Sequence, residues 1–202
     1  MHFKNAFVLT MSMVAVLAAA VGAAPASAAP GDAVLCKTTT LPCTDHYPVG
    51  TAFHMQLATG QKRMSSGFAT INCNKETWVG KVESTTTPSI QISSLSVSEC
   101  GNAAIVVLKR GSLQIHHEGE HKGNVTISGL EVTYAVGGIT CVYGGTVTSG
   151  ITLLGGNPAR LVTNETNIPK VSGGFLCANP AKWSAHFEVT TPKPLFVSTE
   201  TL

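Results

Sequence analysis

The sequence predicts an all-β protein: an antiparallel β-sandwich, Ig-like or of a related Greek-key type, disulfide-stapled and single-domain. Three observations predict it. Apolar and polar residues alternate with a period of two along most of the chain. Gly, Asn, Pro or Ser punctuates nearly every gap between the alternating runs. No window of a dozen residues carries a helical period, and abundant Thr and Val disfavour helix further.

The first 28 residues read as an address rather than structure. Lys4 supplies a positive start, Ala6 to Ala24 is almost wholly apolar, and Ala26-Ser27-Ala28 places small residues where a signal peptidase reads. Cleavage after Ala28 is expected, leaving a domain over 29–202 that is secreted, free or associated with the cell wall. No later stretch is apolar enough to span a bilayer, so no membrane span is expected after cleavage.

The strands follow in order. Phe53, Met55 and Leu57 alternate with polar or small neighbours. Shorter runs lie near Gly67 to Cys73, Trp78 to Glu83, Ile90 to Val97, Ala103 to Lys109, Leu113 to His117 and Val125 to Ser128. Leu130, Val132, Tyr134 and Val136 share one phase. Runs near Ile139 to Tyr143 and Thr146 to Leu154 follow, and Trp183, Ala185, Phe187 and Val189 form the last clear row. Each such strand has one face for a core and one for water. Gly67 to Cys73 with Gly80 is loosely echoed by Gly137 to Cys141 with Gly145, which leaves open two related subdomains, about 29–110 and 111–202.

Six cysteines follow the leader: Cys36, Cys43, Cys73, Cys100, Cys141 and Cys177. An even count in an exported chain points to disulfides, and close pairs of the metal-binding kind are missing. Sequential pairing is expected, because each pair brackets one group of strands. Chain-entropy estimates give roughly 2.5, 3.6 and 3.8 kcal/mol for the three loops.

Composition bears on partners. Charged residues make up only 12% of the chain and the formal net charge is +2. Neither a nucleic-acid nor an anionic-membrane footprint is present. The expected partner is an extracellular or cell-wall ligand, and no cofactor is implied.

The segments VLCKTTTLPCTDHYPVGT, GGITCVYGG and LCANPAKWSAHFEVTTPKPLFVS resemble a group of small exported proteins of unknown function from high-GC Gram-positive bacteria. The resemblance runs through Cys36, Pro42, Cys43, Tyr47, Pro48, Cys141, Tyr143, Cys177, Trp183, Pro192 and Pro194. It implies export, β-structure and disulfides, and carries over no catalytic residue.

One constellation has the spacing of chemistry. His117-Glu118-Gly119-Glu120-His121 matches H-E-x-x-H, in which a helix presents two His to zinc and the Glu activates water. The flanking Leu113, Ile115, Val125 and Ile127 alternate as strands, so a hairpin turning at Glu118 to Glu120 is expected, with His117 and His121 facing each other as an exposed polar tip. His117 and His121 remain candidate metal ligands. No catalytic residue is assigned; Trp78 and Trp183 are read as core. The expected function is a non-catalytic secreted or wall-associated protein with a structural or binding role. A small-molecule or metal carrier is the alternative, and a zinc hydrolase using His117, Glu118 and His121 ranks third.

Overall fold

The computed structural model describes residues 33–58, 60 and 62–199. The expected leader, residues 1–28, and its cleavage point lie outside them. Among the described residues every regular element is a strand: β1 Ala33–Cys36, β2 Ala52–Leu57, β3 Lys62–Gly67, β4 Thr70–Cys73, β5 Lys75–Ser84, β6 Ser89–Ser98, β7 Ala104–Gly119, β8 Lys122–Val136, β9 Ile139–Val147, β10 Ile151–Leu154, β11 Arg160–Ile168, β12 Lys170–Gly173, β13 Cys177–Thr191 and β14 Phe196–Thr199.

The strands run in the order β10, β11, β13, β2, β5, β6, β7, β8, and β8 then returns to β10 through Asn124↔Thr152 and Lys122↔Leu154. Eight strands thus close into an antiparallel barrel. The all-β expectation holds, whereas the sandwich is corrected to a closed barrel. The physical reason is that both architectures bury one face of every strand, so the same alternation serves either; only the non-local pairing of β8 with β10 decides.

Long strands continue past the ring into an extension. Past Asn124, β8 leaves β10 and from Ile127 pairs with β9, which carries β12. The first half of β13 pairs with β3, and β3 with β4. Strands of both chain halves enter one barrel, since β2 lies between β5 and β13. A separate two-stranded sheet joins β1 to β14, and the Tyr47 hydroxyl donates to the Pro194 carbonyl at 2.5 Å beside it.

The inward rows form one core. Phe53 and Met55, Leu113 and Ile115, Val132 and Tyr134, and Trp183, Ala185, Phe187 and Val189 are all buried. Trp78 and Trp183 meet Phe187 at ring-centroid distances of 6.1 and 6.2 Å. Gly111 and Gly129, at φ +69° and +70°, bend the long β7–β8 hairpin between Arg110↔Leu130 and Ser112↔Ser128. The two runs expected at Ala103 to Lys109 and Leu113 to His117 are therefore one strand with a kink, not two strands with a turn.

The disulfides join Cys36 to Cys43, Cys73 to Cys100 and Cys141 to Cys177, the sequential set. They tie the loop after β1, the end of β4 to the end of β6, and β9 to the start of β13. Such bonds belong to an oxidising, extracellular environment.

Candidate functional site

The H-E-x-x-H segment is strand and turn. His117 and Glu118 belong to β7, Glu120 and His121 make the turn, and β8 begins at Lys122. The turn is thus one to two residues later than expected, and the residue opposite His117 is Gly123, not His121. His116 and Glu118 point outward and His117 is half-buried. His121 is not an exposed tip: its ring packs on Phe196 at 5.4 Å, its Nδ1 is buried, and its backbone has φ +57°. Its Nε2 lies 4.0 Å from Glu120 Oε1. The helix that would set two imidazoles on one face is replaced by extended chain. Among the described residues no group of three His, Cys, Asp or Glu side chains is placed to hold a metal ion.

A polar cluster that the sequence reading missed lies inside the barrel extension. Lys62, the first residue of β3, and Glu76 on β5 are 4% and 2% exposed, and Lys62 Nζ sits 2.8 Å from Glu76 Oε2. Trp78 donates its indole N–H to Glu76 Oε1 at 2.9 Å. The ammonium also lies over the rings of Trp183 and Tyr134, at 5.5 and 5.9 Å from their centroids. Burial alone would lower the Lys62 pKa, but the Glu76 charge and the neighbouring Tyr134 outweigh it and hold it above the ordinary lysine value. Burial pushes the Tyr134 hydroxyl up, the direction opposite to its effect on Lys62, and the Lys62 charge offsets part of that.

These side chains line a cavity of about 20 Å³ with Leu95, Leu130, Val132, Tyr143 and Ile168. That is room for about one water-sized oxygen. The Tyr143 hydroxyl and the Trp183 indole N–H, both on residues at most 2% exposed, have no hydrogen-bond partner among the described residues. The cavity therefore offers two spare donors beside an internally neutral ion pair. Sequence carried a signal for it: Glu76 is in phase with Trp78 and Val82, and Lys62 with Met64, so each charge falls on an inward row.

A second feature is an opening in the barrel wall. β6 and β7 pair only at Ser89↔Gln114, Ile90↔Leu113 and Gln91↔Ser112. Beyond Gln91 the strands part, and among the described residues neither Ile92–Ser98 of β6 nor Ala104–Arg110 of β7 has a partner across the gap. The Gln91 side-chain amide donates to the Gly111 carbonyl at 3.1 Å, at the point where β7 bends away. A groove of about 320 Å³ lies there, lined by Gln91, Ile92, Val107, Leu108, Lys109 and Arg110. A bulge at Ser93, between the pairs Val79↔Ser94 and Gly80↔Ile92, shifts the inward phase of β6 onto Leu95 and Val97. Leu95, Val97, Ile105 and Val107 thus pack on the core yet stay only half-buried. The cavity and the gap adjoin, because Val107 in the groove pairs with Val132 in the cavity wall.

No protein-family model matches the chain, and no curated protein or solved structure matches it.

Proposed function

We propose that this chain is a non-catalytic exported protein, secreted or held at the cell wall, that binds a partner at the opening in its barrel wall. The observation that carries the reading is the half-covered core between β6 and β7. Four apolar side chains, Leu95, Val97, Ile105 and Val107, face inward as core residues do, yet among the described residues no strand completes the wall that would cover them. Elsewhere most inward residues are buried, and the other half-buried apolar residues packed on the core, among them Leu57, Phe68, Val136 and Ile139, lie at or next to strand ends. Incomplete burial of apolar surface is a standing cost of about 25 cal/mol per Å², relieved by a partner that covers it.

A second reading, a small-molecule carrier, is favoured by one observation: the unpaired Tyr143 and Trp183 donors in the cavity below the gap. The cavity volume limits what enters without rearrangement to a small polar group. The hydrolase reading draws no comparable support, since His117 and His121 sit on strand and turn.

The test immobilises the protein and passes cell-wall and culture fractions over it beside a Leu95→Asp, Val107→Asp variant. Retention of a defined component by the natural chain, lost in the variant while both show the same circular dichroism, is the expected result. Equal retention by both would remove the gap from the function.

A further inference from the structure

Resting on that reading, we infer that the partner is an extended peptide segment of another protein, added as a strand between β6 and β7 and carrying an acidic residue opposite Arg110. Four observations converge on it. First, the gap is bounded on both sides by strand edges: β6 over 92–98 and β7 over 104–110 pair with β5 and β8 on their other sides, and the backbone groups of alternate residues directed across the gap have no strand partner among the described residues. Backbone N–H and C=O groups are obligatory hydrogen-bonding groups, and two facing edges are a template for one more strand.

Second, the faces of the gap alternate as a sheet requires. Leu95, Val97, Ile105 and Val107 lie on the inner side, while Ser94, Ser96, Ser98, Val106 and Leu108 are exposed or partly so on the outer side. A strand added there would point alternate side chains into the apolar core and the others to solvent. A compact apolar ligand would leave the strand edges unsatisfied, whereas a peptide backbone answers both.

Third, the charge at the gap is positive. Lys109 is already paired with Glu131 at 2.5 Å, but Arg110 makes no ion pair among the described residues and is exposed. Fourth, both ends of the gap are fixed in place. The Gly111 bend turns β7 away while the Gln91 bond to the Gly111 carbonyl ties the two strands at the closed end, and the Cys73–Cys100 disulfide anchors the other end of β6 to β4.

The experiment uses the full disulfide-bonded chain, without its leader, and two synthetic seven-residue probes, valine alternating with aspartate and valine alternating with lysine. Amide hydrogen exchange is followed at Ile92–Ser98 and Ala104–Arg110. In the free protein the gap-side amides should exchange rapidly. The acidic probe should slow them at least tenfold and the basic probe should not; Arg110→Glu should reverse that preference. The same acidic probe N-methylated at alternate residues should lose its effect, because it cannot donate to both edges. Slow exchange in the free protein would mean that the edges are already paired, and would overturn both this inference and the reading of the wall opening as a binding site. If Leu95→Asp, Val107→Asp abolishes capture of a natural component while neither probe slows exchange, strand addition is overturned and binding at the wall opening stands. Equal slowing by both probes would remove the acidic preference, and with it the inference as stated.

Discussion

Gly111 and Gly129 face each other across the β7–β8 hairpin, both with left-handed backbone, and the whole opening of the barrel wall begins at that pair. A Cβ on Gly111 would lie 2.7 Å from the Leu130 nitrogen and closer still to the Ser128 carbonyl oxygen, whereas one on Gly129 would meet only the Gly111 Cα at 3.7 Å. Gly129→Ala should cost about 1–2 kcal/mol, the backbone strain alone. Gly111→Ala should cost more, because the clash is with backbone that cannot step aside. Urea unfolding of the two variants measures the difference; equal costs would show that the bend is not tightly packed.

The Lys62–Glu76 pair gives the second prediction. Lys62→Met alone leaves a buried carboxylate, and Glu76→Leu alone leaves a buried ammonium, so each should destabilise by about 3–5 kcal/mol. The double variant should recover most of that loss, since the pair is surrounded by Trp78, Tyr134 and Trp183 and little water is available to either charge. A double-mutant cycle from chemical denaturation checks it, and additive losses would contradict a directly coupled pair.

Alkaline pH should unfold the protein through the same cluster. Lys62 and Tyr134 are both held above their ordinary values, so above about pH 10 the folded chain retains protons that the unfolded chain has lost. Stability from these groups is fully present below that pH and falls as pH rises toward their folded values. Melting temperature measured from pH 8 to 12 should decline from about pH 10 in the natural chain. The decline should be shallower in Lys62→Met, Glu76→Leu and shallower again with Tyr134→Phe added.

The two histidines of the β7–β8 turn should behave differently. His117→Ala is expected to change stability by within about 0.5 kcal/mol, as is common for surface positions. His121→Ala removes a ring packed edge-on against Phe196 and should cost about 1 kcal/mol. Neither variant should alter peptide hydrolysis, because the natural chain is expected to have none. Thermal melts and a fluorogenic peptide assay measure both; stoichiometric zinc lost together with hydrolysis in the double variant would reverse that expectation.

How much of this was legible in the sequence depends on how local the deciding interaction is. The rows Phe53 to Met55, Leu130 to Tyr134 and Trp183 to Val189 were readable because alternation is a property of neighbouring residues, and all of them are buried. The β8–β10 closure was not, because Asn124 and Thr152 carry no mark of each other. Glu76 was missed because the strand was read as starting at Trp78, although the inward phase runs back through it. Lys62 fell in no expected strand at all. The gap between β6 and β7 could not be read either: Ala103 to Lys109 alternates as a paired strand would, and the pattern is silent about which edge lacks a neighbour.

The pairing of β13 has a consequence for the order in which the chain can be assembled. β13 meets β11 along one edge and β3 and then β2 along the other, so Met55 of the second strand waits for Val189 of the thirteenth. A chain emerging amino end first can form the β5–β6 and β7–β8 hairpins as it appears, but it cannot complete the ring until this late strand arrives. Such long-range closure folds slowly. Until then the facing rows stay unshielded, and an unfinished chain that meets its neighbours presents apolar faces to them.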